Sequence, residues 1–260
     1  MARAGRDFVA CRWVSVAHGV AVAVFGSALF AVARDRFWLL AGAFSGFLVV
    51  APVLATGLYA LSRALERGEK ADFALLVRTW TRWGVNRRSD PSSYWCLVRF
   101  GLLLAFAGTG WVLTSAAFIT LFSPVAISSP EDFVRHVVLA PDHFVFEAWL
   151  TMGGLLAAPV FASSVISMPL LLDRHVNALD AVLVSWRVVM ANPVTMAVWA
   201  LMLMIFTFCG FVTALLGMMA IVPMLGHASW HAYRDLVDAS AISERVAAND
   251  AIGTATRAHA

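Results

Sequence analysis

Apolar residues run through this chain in long blocks rather than alternating with polar ones, and short polar stretches separate the blocks. They cover roughly 13–33, 37–61, 95–122 and 145–172, with a last block from Val194 to Leu225. About 20 apolar residues in a helix cross about 30 Å of hydrocarbon, so each block is long enough to span a membrane. The last is too long for one ordinary span. Dividing it at Cys209-Gly210 gives spans of about 190–209 and 211–229. The pattern therefore predicts an all-α polytopic membrane bundle of about six transmembrane helices, with residues 1–237 as one transmembrane domain. The polar, Ala-rich tail 238–260 is expected to be partly disordered. Ala31-Val32-Ala33 imitates a signal-peptidase site, but the apolar run before it is longer than a signal peptide's, so it reads as a retained first span.

A second periodicity appears between the blocks. Phe73, Leu76, Val77, Trp80 and Trp83 recur at helical spacing after span 2. Leu179, Val182, Leu183, Trp186 and Val189 recur at the same kind of spacing after span 4. Each set makes one apolar stripe on a helix too short and polar to span. Two readings stay open: amphipathic helices lying at the membrane interface, or connectors packed against the bundle.

The blocks also repeat. "GFLVVAPVLA" (46–55) and "GLLAAPVFA" (154–162), with the glycine before it, share Gly46/Gly153, Leu48/Leu155, Ala51/Ala158, Pro52/Pro159, Val53/Val160 and Ala55/Ala162. Pro223 is followed after eleven residues by Arg234, as Pro52 is by Arg63. The implied unit is a helical hairpin whose second helix carries a proline, repeated three times. An intramembrane proline removes a backbone hydrogen bond and kinks the helix. Pro52, Pro159, Pro169 and Pro223 thus mark either a gated path or simply the shape that lets three hairpins pack.

Composition agrees with the pattern. The 260 residues are 61% hydrophobic and 13% charged, with a mean hydropathy of +0.79; soluble domains are far less apolar. Charge then orients the chain, because cytoplasmic loops are rich in Lys and Arg. Segment 62–94 carries Arg63, Arg67, Lys70, Arg78, Arg82, Arg87 and Arg88, and the N-terminus carries Arg3, Arg6 and Arg12. Segment 173–192 carries Arg174 and Arg187, and the tail carries Arg245 and Arg257. Six spans put all of these inside, with both termini cytoplasmic; the turn Arg34-Asp35-Arg36 is an exception. Cys11, Cys96 and Cys209 are isolated and form no disulfide framework.

Candidate chemistry is sparse. No Asp, Glu or Lys falls near the middle of a span, which argues against an ion-coupled pump. His18, Arg99 and Glu147 lie near span ends. The loop "EDFVRHVVLAPDHFVFE" combines His136 and His143 with carboxylates, and reads first as a solvated loop. No HExxH, P-loop or GxSxG occurs, so no catalytic residue and no cofactor is assigned. The densest polar stretch is "HASWHAYRD", 227–235. As a helix it aligns His227, Trp230, His231 and Arg234. His227 and His231, with His175, are candidate metal or haem ligands; the reading that accounts for more of these residues takes Trp230, His231 and Tyr233 as interfacial rings, with Arg234-Asp235 marking the exit from the membrane. Pro52, Pro159, Pro223, Arg63 and Glu66 complete the candidate positions.

"GRDF" (5–8), "GLYALSRALERGE" (57–69), "DAVLVSWRVVMANP" (180–193) and "PMLGHASWHAYRDLV" (223–237) resemble, in order, the signatures of a bacterial domain-of-unknown-function family of predicted integral membrane proteins. The hairpin plan also resembles, in architecture alone, the membrane domain attached to some glycerophosphodiester phosphodiesterases. The family resemblance implies a multi-pass protein of the bacterial inner membrane with no established activity. Members sometimes carry the label cytochrome c oxidase subunit I; one intramembrane histidine and half the required spans do not fit it. Three readings stand: a non-enzymatic accessory, scaffold or assembly partner of a membrane complex such as a respiratory complex; a transporter or lipid-handling protein; and a metal or haem binder. Membrane lipids are the expected surroundings, and no nucleic-acid partner is implied.

Overall fold

A computed structural model describes residues 1–33, 36–81, 95–142 and 144–245, and among these it is helical, with no strand. The helices, in chain order, are α1 (Ala2–Ala10), α2 (Arg12–Ala33), α3 (Phe37–Leu54), α4 (Thr56–Glu66), α5 (Phe73–Thr81), α6 (Trp95–Phe122), α7 (Pro130–Phe133), α8 (Phe144–Ser164), α9 (Ser167–Asp173), α10 (Ala178–Ala191), α11 (Pro193–Val212) and α12 (Met218–Leu236). A π-helical turn, Val134–Val138, follows α7. The chain is an all-α helical membrane bundle. Arg12–Ala33, Cys96–Phe122, Phe144–Asp173 and Pro193–Val212 are long and apolar enough to cross a membrane, and the broken pair Phe37–Gly46 with Ala51–Glu66 makes a fifth candidate. The expected sixth segment, 211–229, is spread over the end of α11, a turn and the first half of α12. Polar residues from His227 onward keep α12 out of the apolar class. Arg34, Asp35, Arg82, Trp83, Arg87, Arg88, His143 and Arg257 lie outside the described residues.

The described residues divide into two compact units, Met1–Ala23 with Pro52–Phe100 and Ala162 onward, and Val24–Ala51 with Gly101–Phe161. In the second unit Ile119, Ile127 and Val137 form a core, packed by Phe37, Trp38, Phe118, Phe133, Val145, Phe146 and Trp149. Trp149 Nε1 donates to Ser115 Oγ at 2.7 Å. The acidic loop is committed to structure: Asp132 and Ser129 make a reciprocal helix cap at α7, and Glu131 pairs with Arg135 at 2.7 Å.

In the first unit, α1, α4 and α9 pack against α12, and α5 packs against α4. Proline and glycine explain how closely. Pro223 has no N–H for the Met219 carbonyl. A Cβ on Gly19 would lie 2.3 Å from that carbonyl oxygen, so α2 and α12 meet there only because residue 19 is glycine. Three residues after Pro52, at Ala55, α3 gives way to α4. Leu58 N–H donates to Ala55 O at 2.9 Å, and Tyr59 N–H to the same oxygen at 3.0 Å. Between α11 and α12, Ala214 (φ 51°) and Leu215 (φ 69°) adopt left-handed conformations. Thr213 Oγ1 accepts the Gly217 N–H at 2.9 Å and supports that turn.

The two striped helices differ. On α5, Leu76 is buried against α4 while Phe73 and Val77 are exposed. On α10 the small residues Ala181 and Ser185 face inward, and Leu179, Leu183 and Trp186 point outward. Ser185 Oγ accepts the Ile166 N–H at 3.2 Å, fixing that orientation.

Candidate functional site

The polar residues of the first unit converge on two carboxylates. Asp7, on α1, is the first. Ser62 Oγ of α4 donates to Asp7 Oδ2 at 2.6 Å, and His231 Nε2 of α12 lies 2.8 Å from the same oxygen. His227 Nδ1 is 2.7 Å from Ser62 Oγ, and His227 Nε2 is 2.9 Å from Ser15 Oγ of α2. Since the Ser62 proton goes to Asp7, its oxygen accepts from His227 Nδ1–H, and Nε2 accepts from Ser15. This assigns the tautomer from the network. Cys11 Sγ, at the α1–α2 junction, donates to the Asp7 carbonyl at 3.0 Å.

Asp173, ending α9, is the second centre. Arg63 Nε donates to Asp173 Oδ1 at 2.8 Å, Arg174 Nε to Oδ2 at 2.9 Å, and Tyr233 OH to Oδ2 at 2.9 Å. The Arg63 and Asp173 side chains are 7% and 3% exposed, so this pair is out of water. Glu66 joins the two centres, with Arg234 Nε at 3.3 Å and His231 Nδ1 at 3.5 Å. The latter is an ion-pair distance rather than an aligned hydrogen bond.

The segment after α12 closes the second centre. Arg245 is buried and donates to Leu171 O at 3.1 Å and Arg174 O at 3.3 Å, capping carbonyls at the end of α9. Arg63 Nη2 donates to Arg245 O at 2.6 Å.

The charges follow. Burial alone would raise the Asp7 carboxyl, but hydrogen bonds from His231 and Ser62 and the nearby imidazolium hold it below the ordinary carboxylate range. The hydrogen bond to Asp7, with the Glu66 carboxylate nearby acting in the same direction, pushes His231 up to about 9 against the opposing effect of burial. Burial, and then the Asp173 charge, push the Tyr233 phenol up. His175 is pushed down by burial and by the charges of Arg245 and Arg63.

The sequence candidates sort accordingly. Arg63, Glu66, His227, His231, Tyr233 and Arg234 all enter the network. Trp230, His231 and Tyr233 are buried within the chain, because α1, α4 and α9 cover the face of α12 that carries them. Asp235 pairs with Arg3 of α1 at the surface. His175 joins through its backbone, donating to Ser243 O at 3.0 Å. Pro52, Pro159 and Pro223 lie inside α3, α8 and α12. Sequence reasoning passed over Asp7, Ser15, Ser62, Glu244 and the role of Arg245. Asp7 and Ser62 do stand inside the stretches that carry the family resemblance.

A family model described as predicted integral membrane protein (DUF2189) matches residues 39–173, just over half of the chain. The chain belongs to this family. The match includes Ser62, Arg63, Glu66, Arg67 and Asp173, so the α4 and α9 sides of the network fall within the family segment. Asp7 and the α12 residues lie outside it. Comparison with curated proteins finds no match, and comparison with solved structures finds none.

Proposed function

We propose that this DUF2189 member is a non-enzymatic accessory, scaffold or assembly protein of a bacterial inner-membrane complex, with both termini cytoplasmic. One observation carries the reading: the polar groups of the network are engaged with each other, while large apolar side chains face outward. Ser15 and His227 form a pair that would suit a nucleophile and its base, yet both are 0% exposed. A substrate atom has no approach to them. Outward-facing Leu102, Phe106, Leu113, Leu201, Met204 and Phe208 offer lipid- or protein-binding faces instead. Basic residues gathered at the network side support the inside orientation.

Co-purification from native membranes in a mild detergent tests this. The expected outcome is a stoichiometric membrane-protein partner; repeated isolation of the chain alone in several mild detergents would count against it. The metal or haem reading is weaker, since both ring nitrogens of His227 lie at hydrogen-bonding distance from serine hydroxyls, 2.9 Å and 2.7 Å. Metal analysis and an absorption spectrum decide it.

A further inference from the structure

The second centre holds more guanidinium than carboxylate. Arg63 at 2.8 Å, Arg174 at 2.9 Å, Arg67 at 3.7 Å and Arg234 at 4.0 Å all lie within ion-pair range of Asp173. Glu66 balances one of them and shares its charge with His231. A guanidinium cannot lose its proton to escape burial, and the Arg174 side chain is 9% exposed. The cluster is therefore short of anion, and the buried Arg174 in particular needs one.

The chain supplies Glu244. Its Oε2 lies 2.6 Å from Arg67 Nη2, and its Oε1 lies 3.3 Å from Arg174 Nη2. One carboxylate thus bridges arginines of two elements, one oxygen to each. The Glu244 side chain is 55% exposed, and its neighbours are anchored without it. Arg245 N–H donates to Asp173 O at 2.9 Å, His175 N–H to Ser243 O at 3.0 Å, and Arg174 Nη1 to Ile242 O at 2.9 Å. The carboxylate can leave while the segment stays.

The position of the fork indicates what replaces it. Two candidate spans end at Glu66 and at Asp173, so Arg67 and Arg174 are each the first residue beyond a span. That is the depth of lipid headgroups. Phosphate carries more charge and more acceptor oxygens than a carboxylate, and arginine forks match it well.

We propose that Arg67 and Arg174 form a phosphate-binding fork, for which Glu244 is the built-in competitor, and that it takes the phosphate of a lipid headgroup or of a soluble phosphate ester. The site is independent of whether the protein has a protein partner.

Thermal unfolding of the purified full-length protein in non-ionic detergent reads the site. The titrants are dihexanoyl phosphatidic acid, inorganic phosphate, and sodium chloride at matched ionic strength. Glu244→Gln is expected to lower the melting temperature, and phosphate-bearing titrant to restore it at about tenfold lower concentration than the wild type needs for a comparable response, a factor worth about 1.4 kcal/mol. Restoration by phosphatidic acid alone assigns a lipid headgroup; restoration by inorganic phosphate assigns a free phosphate; both support the fork. Adding Arg67→Ala to Glu244→Gln should abolish the response. Equal restoration by chloride, an undiminished response in that double variant, or no gain of Glu244→Gln over wild type overturns the proposal. If Glu244→Gln does not fold, Glu244→Asp keeps the charge with a shorter reach. It should also bind phosphate more tightly than wild type, and unchanged binding overturns the proposal.

Discussion

A half-buried carboxylate, Asp7, and a buried one, Asp173, set how single substitutions should behave. Asp173 is the partner that makes the buried Arg63 tolerable. Removing one member of a buried pair costs roughly 3–5 kcal/mol, because the other charge stays behind unpaired. Asp173→Asn should therefore destabilise by about that much, read as a lower melting temperature in detergent. Asp173→Asn combined with Arg63→Met should be less damaging than the single change, since it removes the stranded charge as well. The Asp7 centre predicts a pH dependence. His231 is raised to about 9 from an ordinary 6.5, so its protonated form favours the folded state. That contribution is complete below about pH 6.5 and is lost as pH rises through about 9. Asp7 is lowered, so its contribution holds above its ordinary value of 3.8 and is lost as pH falls below it. Melting temperature followed from pH 6 to 10 should fall in wild type and fall less in His231→Gln; equal slopes would show that the pair does not titrate as described.

Helices carry the next level of argument, and here glycine and proline decide contacts that hydrophobicity does not. Gly19 faces the backbone of α12 rather than a movable side chain. Gly19→Ala should push the two helices apart, with an overpacking cost of roughly 1–3 kcal/mol; a melting temperature equal to wild type would refute that contact. The elements themselves were legible because a 20-residue apolar block has few other solutions in lipid. The proline positions were legible too, but not what answers them. Gly19 meets the carbonyl freed by Pro223, a contact between residues far apart in sequence. The α10 stripe was read correctly as apolar, while its direction depended on Ala181 and Ser185 packing inward, which periodicity alone does not reveal. α1 was missed altogether. Its nine residues, Ala2–Ala10, lack an apolar block, and Asp7 gains meaning only once α4 and α12 are beside it.

At the scale of the molecule, this chain reverses the arrangement of a soluble protein, with polar groups gathered inside one unit and apolar side chains facing out. Half of the site was visible as "HASWHAYRD" because local spacing put its histidines on one face. The other half needed α1, α4, α9 and the segment before residue 245 to converge, which no local pattern announces. The outward faces carry the functional question. On α11, Val194, Val198, Leu201, Met204, Phe208 and Val212 are all exposed, and their spacing of three or four residues keeps them on one side of the helix. Lipid chains and a partner helix would cover such a stripe equally well by hydrophobicity, so contact chemistry has to separate them. A photo-crosslinking residue at Met204, activated in native membranes, should yield a discrete protein adduct if the accessory reading holds. The same residue placed at Ala181, which is buried against the chain's own α9 side, should give no intermolecular adduct. Adducts to lipid alone at Met204 would leave α11 a lipid-facing helix and remove the support this face gives to a partner. An adduct at twice the protein's own mass would make that partner a second copy of the chain.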